Sequence, residues 1–213
     1  MTRGMFIAFE GGEGMGKSTQ AKLLVQALED AGLTVRLTRE PGGTQGAEAI
    51  RNLLLHPPGE GWGPQAEALL FAAARADHVA RLIRPALDAG EWVVCDRFLD
   101  SSRAYQGQAG GIGDEAVKAL HAIGSSGLLP DLTLVLSARS SQVAERLRER
   151  DGDQADAIGG RSADYHAAVN EAFSRFAAEE PERFAIVDGS GSIEEVHRRI
   201  MARLTTTFPD LAR

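Results

Sequence analysis

Short apolar runs alternate with amphipathic stretches along the chain. The apolar runs mostly lack polar alternation, which is typical of strands covered on both faces of a sheet. Apolar residues at helical spacing fill the intervals, and Gly32, Pro57 and Gly90 mark helix ends. The predicted strands are Met5–Phe9, Thr34–Thr38, Trp92–Cys95, Leu132–Leu136 and Phe184–Val187. The predicted helices are Gln20–Ala31, Gly46–Leu55, Pro64–Ala89, Asp114–Ile123, Ser140–Arg150, Ser162–Ala178 and Ile193–Leu204.

The alternation of strands and helices predicts an α/β fold with a parallel sheet and right-handed crossovers. No internal repeat or linker-like change of composition divides residues 1–213, so a single domain is expected. The glycine-rich, polar segment Asp151–Gly160 lacks periodicity and is a candidate for a mobile flap. In such a fold, ligands bind beyond the carboxyl ends of the strands.

Net charge, cysteine content and the length of the apolar stretches limit which ligands and which cellular location are expected. The formal net charge of −7 argues against a broad nucleic-acid surface, so any polyanion site must be a local basic pocket. The chain has one cysteine, Cys95, in an apolar run, and therefore no disulfide framework. It has no apolar stretch of membrane-spanning length and no basic segment followed by an apolar one at its start. We therefore expect a cytoplasmic protein with small-molecule ligands.

The segment between the first strand and the first helix carries the strongest motif. Gly11 to Ser18 reads G-x-x-x-x-G-K-S after an apolar run, which is the context of a P-loop. Its glycines allow backbone N–H groups to surround phosphate oxygens at the positive end of a helix. Lys17 is placed to contact β- and γ-phosphates and Ser18 to ligate Mg²⁺. The motif predicts binding of a nucleoside triphosphate.

Polar clusters follow the second and third predicted strands. After the second strand, Arg39 and Glu40 either form a surface ion pair or hold a phosphate. After the third, Asp96 occupies the usual position of an acid that holds Mg²⁺ through water, and Arg97 beside it can contact an acceptor phosphate. A partly buried ion pair between these last two residues is the alternative.

Further candidates lie on the long predicted helix, in the stretch after the third strand, and at the helix end before the flap. Phe71 and Arg75 share a helix face, where they are either a core residue and a solvated one or a pair that stacks on and bonds a base. Ser102, Tyr105 and Gln106 carry groups suited to reading a base edge. The arginine-rich helix end before the flap is either a solvated surface or part of a closing lid.

Three blocks are distinctive when taken together. They are Arg39-Glu40-Pro41-Gly42-Gly43-Thr44, Asp96-Arg97 with Ser102-x-Ala104-Tyr105-Gln106-Gly107, and Pro130-Asp131-Leu132-Thr133. With these blocks, essentially the whole chain resembles the thymidylate kinase family. The resemblance implies a P-loop fold of three α/β/α layers, with a five-stranded parallel sheet and a short arginine-bearing lid at about residues 146–161. It also implies a homodimer that uses Mg²⁺ and transfers phosphate from ATP to dTMP by in-line displacement, giving dTDP and ADP on the route to dTTP.

The resemblance also implies residue roles. Gly11, Gly12, Glu13, Gly14, Met15, Gly16, Lys17, Ser18 and Thr19 would bind ATP. Arg39 and Arg97 would hold the dTMP phosphate, near Glu10. Phe71 would stack on thymine, Arg75, Ser102 and Gln106 would read its edges, and Tyr105 would pack against the deoxyribose and disfavour a 2′-hydroxyl. Ser18, Asp96 and Glu10 would form the metal site.

The catalytic set implied by the resemblance is Lys17, Arg97, Glu13, Arg146 and Arg150. The P-loop carries Glu13 where one branch of the family has an arginine, and the acidic branch takes its catalytic arginine from the lid. The lid departs from the family pattern, because Ala157 follows Asp156 where the family has arginine. Arg150 is the first candidate for the lid arginine, and whether Arg161 replaces the missing one stays open at this point.

Two other functions compete with this interpretation. Another pyrimidine nucleoside or nucleoside-monophosphate kinase of the same architecture would carry most of the same residues. A P-loop regulatory switch would need a guanine-reading N-K-x-D stretch, which the sequence lacks.

Overall fold

Five parallel strands form one sheet in the part of the chain that the structure describes, residues 3–137 and 160–212 of a computed structural model. The strands are β1 (Phe6–Glu10), β2 (Val35–Arg39), β3 (Trp92–Asp96), β4 (Leu132–Ser137) and β5 (Phe184–Asp188). Their order across the sheet is β2-β3-β1-β4-β5, and each neighbouring pair is parallel. The sheet expected from the alternation of strands and helices is confirmed.

Helices connect the strands. They are α1 (Lys17–Asp30), α2 (Gln45–Leu55), α3 (Pro64–His78), α4 (Arg84–Asp88), α5 (Leu99–Ser102), α6 (Asp114–Ser125), α7 (Ala163–Glu179) and α8 (Ile193–Thr207). A π-helical turn, Val79–Ile83, joins α3 to α4, so that the long helix predicted here is continuous but locally underwound. A second π-helical segment, Arg103–Ala109, extends α5, and a short 3₁₀ helix, Pro209–Ala212, follows α8.

The central strand β1 shows why helices cover both faces of the sheet. All five of its residues are buried, and successive side chains point to opposite faces. Ile7 and Phe9 pack with residues of α1 and α8, whereas Phe6 and Ala8 pack with the π-helical turn, α4 and α6. Apolar side chains are therefore buried on both faces of β1, and the sheet lies between two helical layers.

The expectation that all strands are covered on both faces is wrong for the two edge strands. Leu37 in β2 and Ile186 in β5 are 41% and 43% exposed. These strands lie at the two ends of the sheet order, where the helical layers cover the faces of the sheet less completely. The short apolar run alone does not distinguish an edge strand from a central one.

Every strand ends one residue later than predicted, at a polar side chain. The last residues are Glu10, Arg39, Asp96, Ser137 and Asp188. Strand pairing depends on backbone hydrogen bonds, which continue through a polar residue as well as through an apolar one. The carboxyl edge of the sheet therefore presents a row of polar groups.

The helix formed by α5 and its π-helical extension was not predicted. The predicted helix Ser140–Arg150 and most of the predicted lid lie outside the described residues. Within residues 3–137 and 160–212, none of the helices is both long enough and apolar enough to cross a bilayer.

Candidate active site

The loop between β1 and α1 depends on glycine where it passes the sheet. Gly11 has a φ of 127°, and a Cβ there would stand 2.4 Å from the carbonyl oxygen of Leu136 in β4. Gly14 and Gly16 also adopt positive φ, at 68° and 81°. An L-residue with a side chain would be strained at these positions, and at Gly11 it would also collide with β4. The glycines of the motif therefore allow both the turn and the close approach.

Lys17 is the first residue of α1, and its ammonium group folds back onto this loop. Its Nζ donates hydrogen bonds to the carbonyl oxygens of Gly11 and Gly12, at 3.1 and 2.6 Å. Burial, together with the nearby Arg97 guanidinium, lowers the pKa of Lys17 from 10.5 to about 7. The loop thus holds a buried amine whose pKa would rise beside a negatively charged ligand, so that the amine would take up a proton from solvent and bind that ligand.

Ser18 and Asp96 bring together two oxygen-bearing side chains at the carboxyl edge of the sheet. The Ser18 hydroxyl donates a hydrogen bond to Asp96 Oδ2. Asp96 ends β3, which pairs directly with β1. A hydroxyl and a carboxylate are the oxygen donors that Mg²⁺ prefers, together with phosphate oxygens and water. The donor set therefore fits the metal that the motif implies.

Arg97 occupies a strained backbone position beside the P-loop. Its φ is 68°, a left-handed conformation that few residues with side chains adopt. Its guanidinium donates to the carbonyl oxygen of Gly11 and to Ser101 Oγ, both at 3.1 Å. The same group lies 5.1 Å from the ring centre of Tyr105 and 3.6 Å from Glu13. Arg97 is therefore held across the gap between the P-loop and α5.

Glu10 is fully buried and faces the turn that follows β3. One carboxylate oxygen accepts hydrogen bonds from the backbone N–H groups of Phe98 and Ser101, at 2.8 and 3.0 Å, and the other accepts from Ser101 Oγ at 2.6 Å. Burial is the main cause that raises the pKa of Glu10 from 4.5 to about 7. In this conformation, Glu10 supports the turn that carries Arg97.

A buried ion pair positions Arg75. Its Nε donates to Glu40 Oε2 at 2.7 Å, and one terminal nitrogen donates to Ser102 Oγ at 2.8 Å and to the Phe98 carbonyl at 3.1 Å. His78 Nδ1 lies 3.0 Å from the other oxygen of Glu40. Burial opposes ionisation of Glu40, but Arg75 and His78 outweigh it and lower its pKa. The charged carboxylate thus fixes the orientation of the guanidinium.

Gln106 has a similar acidic partner. Its amide nitrogen donates to Glu67 Oε1 at 2.9 Å, and the second oxygen of Glu67 accepts from Arg161. Gln106 itself is almost fully buried.

One cavity of about 550 Å³ joins these groups. The P-loop and Asp96 form one end, and Phe71, Arg75 and Gln106 contribute to the rest. Most of the site residues expected from the sequence line this cavity. They are Glu13, Gly14, Met15, Gly16, Lys17, Ser18, Thr19, Arg39, Phe71, Arg75, Asp96, Arg97, Ser102, Tyr105 and Gln106.

The remaining expected residues lie elsewhere. Gly11 and Gly12 contribute the carbonyl oxygens that Lys17 contacts, and Glu10 lies behind the cavity against Ser101. Arg146 and Arg150 lie outside the described residues.

Sequence reasoning missed several residues of the cavity and its support. Arg51 on α2 lines the cavity and donates to the Pro41 carbonyl at 2.8 Å, and Ser101 lines it beside Arg97. Glu40 was considered only as a surface or phosphate-binding residue, whereas it is buried as the partner of Arg75. Glu67 was not considered at all. Its only sequence signal is its position one helical turn before Phe71, on a helix that already carried two candidates.

The chain matches known thymidylate kinases over nearly its whole length. The sequence profile of the family described as thymidylate kinase matches residues 9–200. The thymidylate kinase of Rhizorhabdus wittichii is 55% identical over 206 residues, covering 97% of this chain and 99% of that protein. The thymidylate kinase of Rhodopseudomonas palustris strain TIE-1 is 50% identical over 200 residues, covering 93% and 87% respectively.

A solved structure agrees with these sequence matches. The crystal structure of thymidylate kinase from Ehrlichia chaffeensis superposes with a TM-score of 0.75 at 30% sequence identity, covering 95% of this chain and 99% of that one. The P-loop, the five-stranded parallel sheet and the sequence matches agree with one another, and the chain belongs to the thymidylate kinase family of phosphotransferases.

Proposed function

We propose that this chain transfers the γ-phosphoryl group of ATP to dTMP, forming ADP and dTDP. The observation that carries the proposal is that one cavity is lined both by the P-loop and by Phe71 and Arg75. Arg97 contacts Gly11 of the P-loop, and Arg75 contacts the carbonyl oxygen of Phe98, the residue after Arg97, so the proposed ATP and base sites are neighbours. The names of the relatives support dTMP as the acceptor.

ATP would bind at the P-loop, through residues 11–19. The N-terminus of α1 supplies unpaired backbone N–H groups and a partial positive charge. The Lys17 ammonium would exchange the carbonyl oxygens of Gly11 and Gly12 for β- and γ-phosphate oxygens. Because phosphate is negatively charged, it would restore the lysine to its protonated form.

Ser18 and Asp96 would hold Mg²⁺, with Ser18 in direct contact and Asp96 acting through water. Bound Mg²⁺ would neutralise phosphate charge during transfer. The placement of both groups at the P-loop end of the cavity supports this assignment. Glu10 would have to break its hydrogen bond with Ser101 before it could contact the metal. We therefore propose that Ser18 and Asp96, more than Glu10, form the metal site.

The phosphate of dTMP would bind between Arg39 and Arg97. Arg39 lines the cavity and pairs with Glu48, whereas Arg97 is already oriented by Ser101 and Gly11. Two guanidinium groups offer forked donors that match phosphate oxygens. Glu10 would act indirectly by supporting the turn that carries Arg97.

The base would lie between Phe71 and the polar groups of α3 and α5. Phe71 offers a ring for stacking, and Arg75 donates hydrogen bonds only, which suits a carbonyl oxygen of thymine. Ser102 and Gln106 would meet the remaining edge. Tyr105, stacked under Arg97, would pack against the deoxyribose.

Transfer would be direct, without a phosphoenzyme or a general base, because a phosphate oxygen of dTMP is already an adequate nucleophile. Lys17 and Arg97 would stabilise the charge on the transferred group. We propose that Arg150, together with Arg146, supplies the catalytic arginine from the lid. Glu13 places the chain in the branch of the family whose P-loop carries an acid in place of an arginine. Arg150→Ala should then lower kcat and leave the dTMP affinity nearly unchanged.

The resemblance to the family also leads to proposals about assembly and location. We propose a single domain with a lid at about residues 146–161, and a homodimer. Leu53, Leu69 and Ile123 are exposed on α2, α3 and α6, helices that pack against one another, and they offer apolar surface for a second copy. The single buried cysteine fits a reducing, cytoplasmic location.

A panel of acceptors tests the proposal. ATP and Mg²⁺ are supplied with dTMP, dUMP, dCMP, UMP or dGMP, and ADP release is followed. Turnover with dTMP far above the others supports the proposal. Preference for a different pyrimidine would favour the second candidate, another pyrimidine-monophosphate kinase. ATP hydrolysis that is independent of the acceptor would contradict both.

A further inference from the structure

A second cavity of about 260 Å³ adjoins the base end of the main one. Gln106 lines both cavities, and the second is lined by Glu67, Arg161, Tyr165 and Trp62 among others. Arg161 does not line the main cavity, where the phosphates would bind. Its charged group contacts Glu67, the partner of Gln106, and therefore lies on the base side of the site.

Glu67 lies between Arg161 and Gln106. One oxygen of its carboxylate accepts from the Gln106 amide nitrogen at 2.9 Å, and the other accepts from Arg161. A carboxylate only accepts hydrogen bonds, so the nitrogen end of the amide must face Glu67. The ion pair with Arg161 keeps that carboxylate charged and in place. The carbonyl oxygen of Gln106 is consequently the end left to meet a base.

Arg161 also acts on the backbone next to Gln106. It donates a hydrogen bond to the Tyr165 hydroxyl, and that hydroxyl donates to the Tyr105 carbonyl oxygen at 2.7 Å. The guanidinium lies 4.6 Å from the centre of the Tyr165 ring. The same arginine thus constrains the side chain of Gln106 through Glu67 and its backbone through Tyr165.

The orientation of this amide has a chemical consequence for pyrimidines. Thymine and uracil carry N–H at position N3, whereas cytosine carries a lone pair there. The oxygen of the Gln106 amide accepts a hydrogen bond from N3–H but repels the N3 lone pair of cytosine. If the amide were rotated, its NH₂ group would donate to the cytosine lone pair and clash with N3–H. Since the carboxylate prevents that rotation, the fixed amide disfavours cytosine.

We propose that Arg161 is a positioning residue for base selection, which holds the Gln106 amide through Glu67 and Tyr165 so that the site accepts thymine and rejects cytosine. The inference rests on the proposed function, since it assumes that the base lies beside Gln106. It also separates Arg161 from the catalytic lid arginine, because its guanidinium is already engaged away from the P-loop.

The test compares variants of the full chain at saturating ATP and Mg²⁺. The quantities are kcat, the KM for dTMP, and the inhibition constant of dCMP as a competitor of dTMP. Glu67→Gln is nearly isosteric but lets the Gln106 amide rotate. Arg161→Ala removes the ion pair, and Arg161→Lys keeps its charge. Arg36→Ala is the control, since it removes an arginine from an exposed ion pair with Glu91 at the edge strand β2.

We expect the ratio of the dCMP inhibition constant to the dTMP KM to fall about tenfold in Glu67→Gln and Arg161→Ala, the effect of one misplaced polar group. The kcat should change less than about twofold, because Lys17 and Arg97, which would contact the transferred phosphoryl group, are unaltered. Arg161→Lys should recover part of the selectivity. The Arg36→Ala control should match the unaltered protein, and thermal unfolding confirms that each variant is folded.

Two outcomes would overturn the inference while leaving the proposed function intact. In the first, the unaltered protein phosphorylates dTMP and folded variants keep its selectivity. In the second, Arg161→Ala lowers kcat by orders of magnitude with an unchanged dTMP KM, which would make it the catalytic arginine. If the unaltered protein fails to phosphorylate dTMP, the proposed function itself is wrong and this inference with it.

Discussion

The hydroxyl of Ser18 donates a hydrogen bond to Asp96, which lies 78 residues later in the chain. Ser18 belongs to the first turn of α1, and Asp96 is the last residue of β3. Because β1 and β3 are adjacent and parallel, the loop that follows β1 and the end of β3 meet at the same edge of the sheet. The topology thus brings together the two oxygen-bearing side chains that would hold Mg²⁺, Ser18 directly and Asp96 through water.

This pair leads to a prediction about Mg²⁺. Asp96→Asn keeps the shape of the side chain but removes its charge, so the proposed site should hold Mg²⁺ less tightly. We expect the Mg²⁺ concentration for half-maximal rate to rise about 10- to 100-fold, as for other outer ligands of metal sites. Steady-state rates over a Mg²⁺ titration measure this. An unchanged Mg²⁺ requirement would contradict the role of Asp96.

The lowered pKa of Lys17 leads to a prediction about proton uptake. With a pKa of about 7 in the nucleotide-free protein, this lysine is largely neutral at higher pH. Bound phosphates should raise that pKa, so that the lysine takes up a proton from solvent. We expect uptake of about one proton when ATP binds near pH 8, falling toward zero near pH 6, where the lysine is already charged. Calorimetry in buffers of different ionisation enthalpy measures the uptake.

Glu10 is the matched control for this experiment, because its pKa also lies near 7. An anion nearby would raise that pKa and draw a proton as well. In Glu10→Gln, the uptake should persist if Lys17 is its source. If Glu10→Gln shows no proton uptake, Glu10 and not Lys17 is the group that takes up the proton.

The same variant separates the two roles of Glu10. The residue supports the turn that carries Arg97 through hydrogen bonds to Phe98 and Ser101. We therefore expect Glu10→Gln to raise the KM for dTMP by roughly three- to tenfold, the effect of a disturbed hydrogen-bond network, with little change in the Mg²⁺ requirement. Kinetics with each ligand varied in turn measure both quantities. A large rise in the Mg²⁺ requirement would support direct metal ligation by Glu10.

A buried ionic network away from the cavity should contribute to stability. Asp100 is fully buried and pairs with Arg183 and Arg103, at 2.6 and 2.9 Å. Burial opposes its ionisation, but the two arginines outweigh it and lower the pKa of Asp100 below 3.8. Asp100→Asn leaves these arginines undercompensated, and we expect it to lower the free energy of unfolding by about 3–5 kcal/mol. Urea unfolding measures the loss.

The pH dependence of this effect has a definite sign. An acid with a lowered pKa contributes stability above its ordinary pKa, and that contribution is lost as the pH falls through the folded-state value. The difference between the unaltered protein and Asp100→Asn should therefore shrink as the pH falls below 3.8. Glu91→Gln, which breaks the exposed pair with Arg36, should cost less than about 1 kcal/mol. A similar loss in both variants would argue against a special role for the buried network.

The sheet and the P-loop were predictable because their signals are local. Apolar runs of strand length, separated by amphipathic stretches, are enough to indicate a parallel sheet. The P-loop combines a strand, glycines and a helix start within a few consecutive residues. Phe71 and Arg75 share a helix face, so helical spacing alone was enough to place them together.

The supporting contacts were not predictable, because they join residues far apart in the sequence. Glu67 and Arg161 are 94 residues apart, and their charges become partners only after α3 and the start of α7 have been brought together. Arg103 begins the π-helical extension of α5 and is buried with Asp100, Asp114 and Glu180 as ion-pair partners, the last of which lies 77 residues away. Tertiary contacts, rather than local propensity, determine both features.

The reaction itself is tested most directly by following labelled phosphate. ATP that carries a radioactive γ-phosphate is incubated with dTMP, Mg²⁺ and the protein, and the products are separated by chromatography. We expect the label to appear in dTDP, with ADP formed in equal amount. Label that appears only in inorganic phosphate, or no dependence of ADP formation on dTMP, would contradict phosphoryl transfer to dTMP.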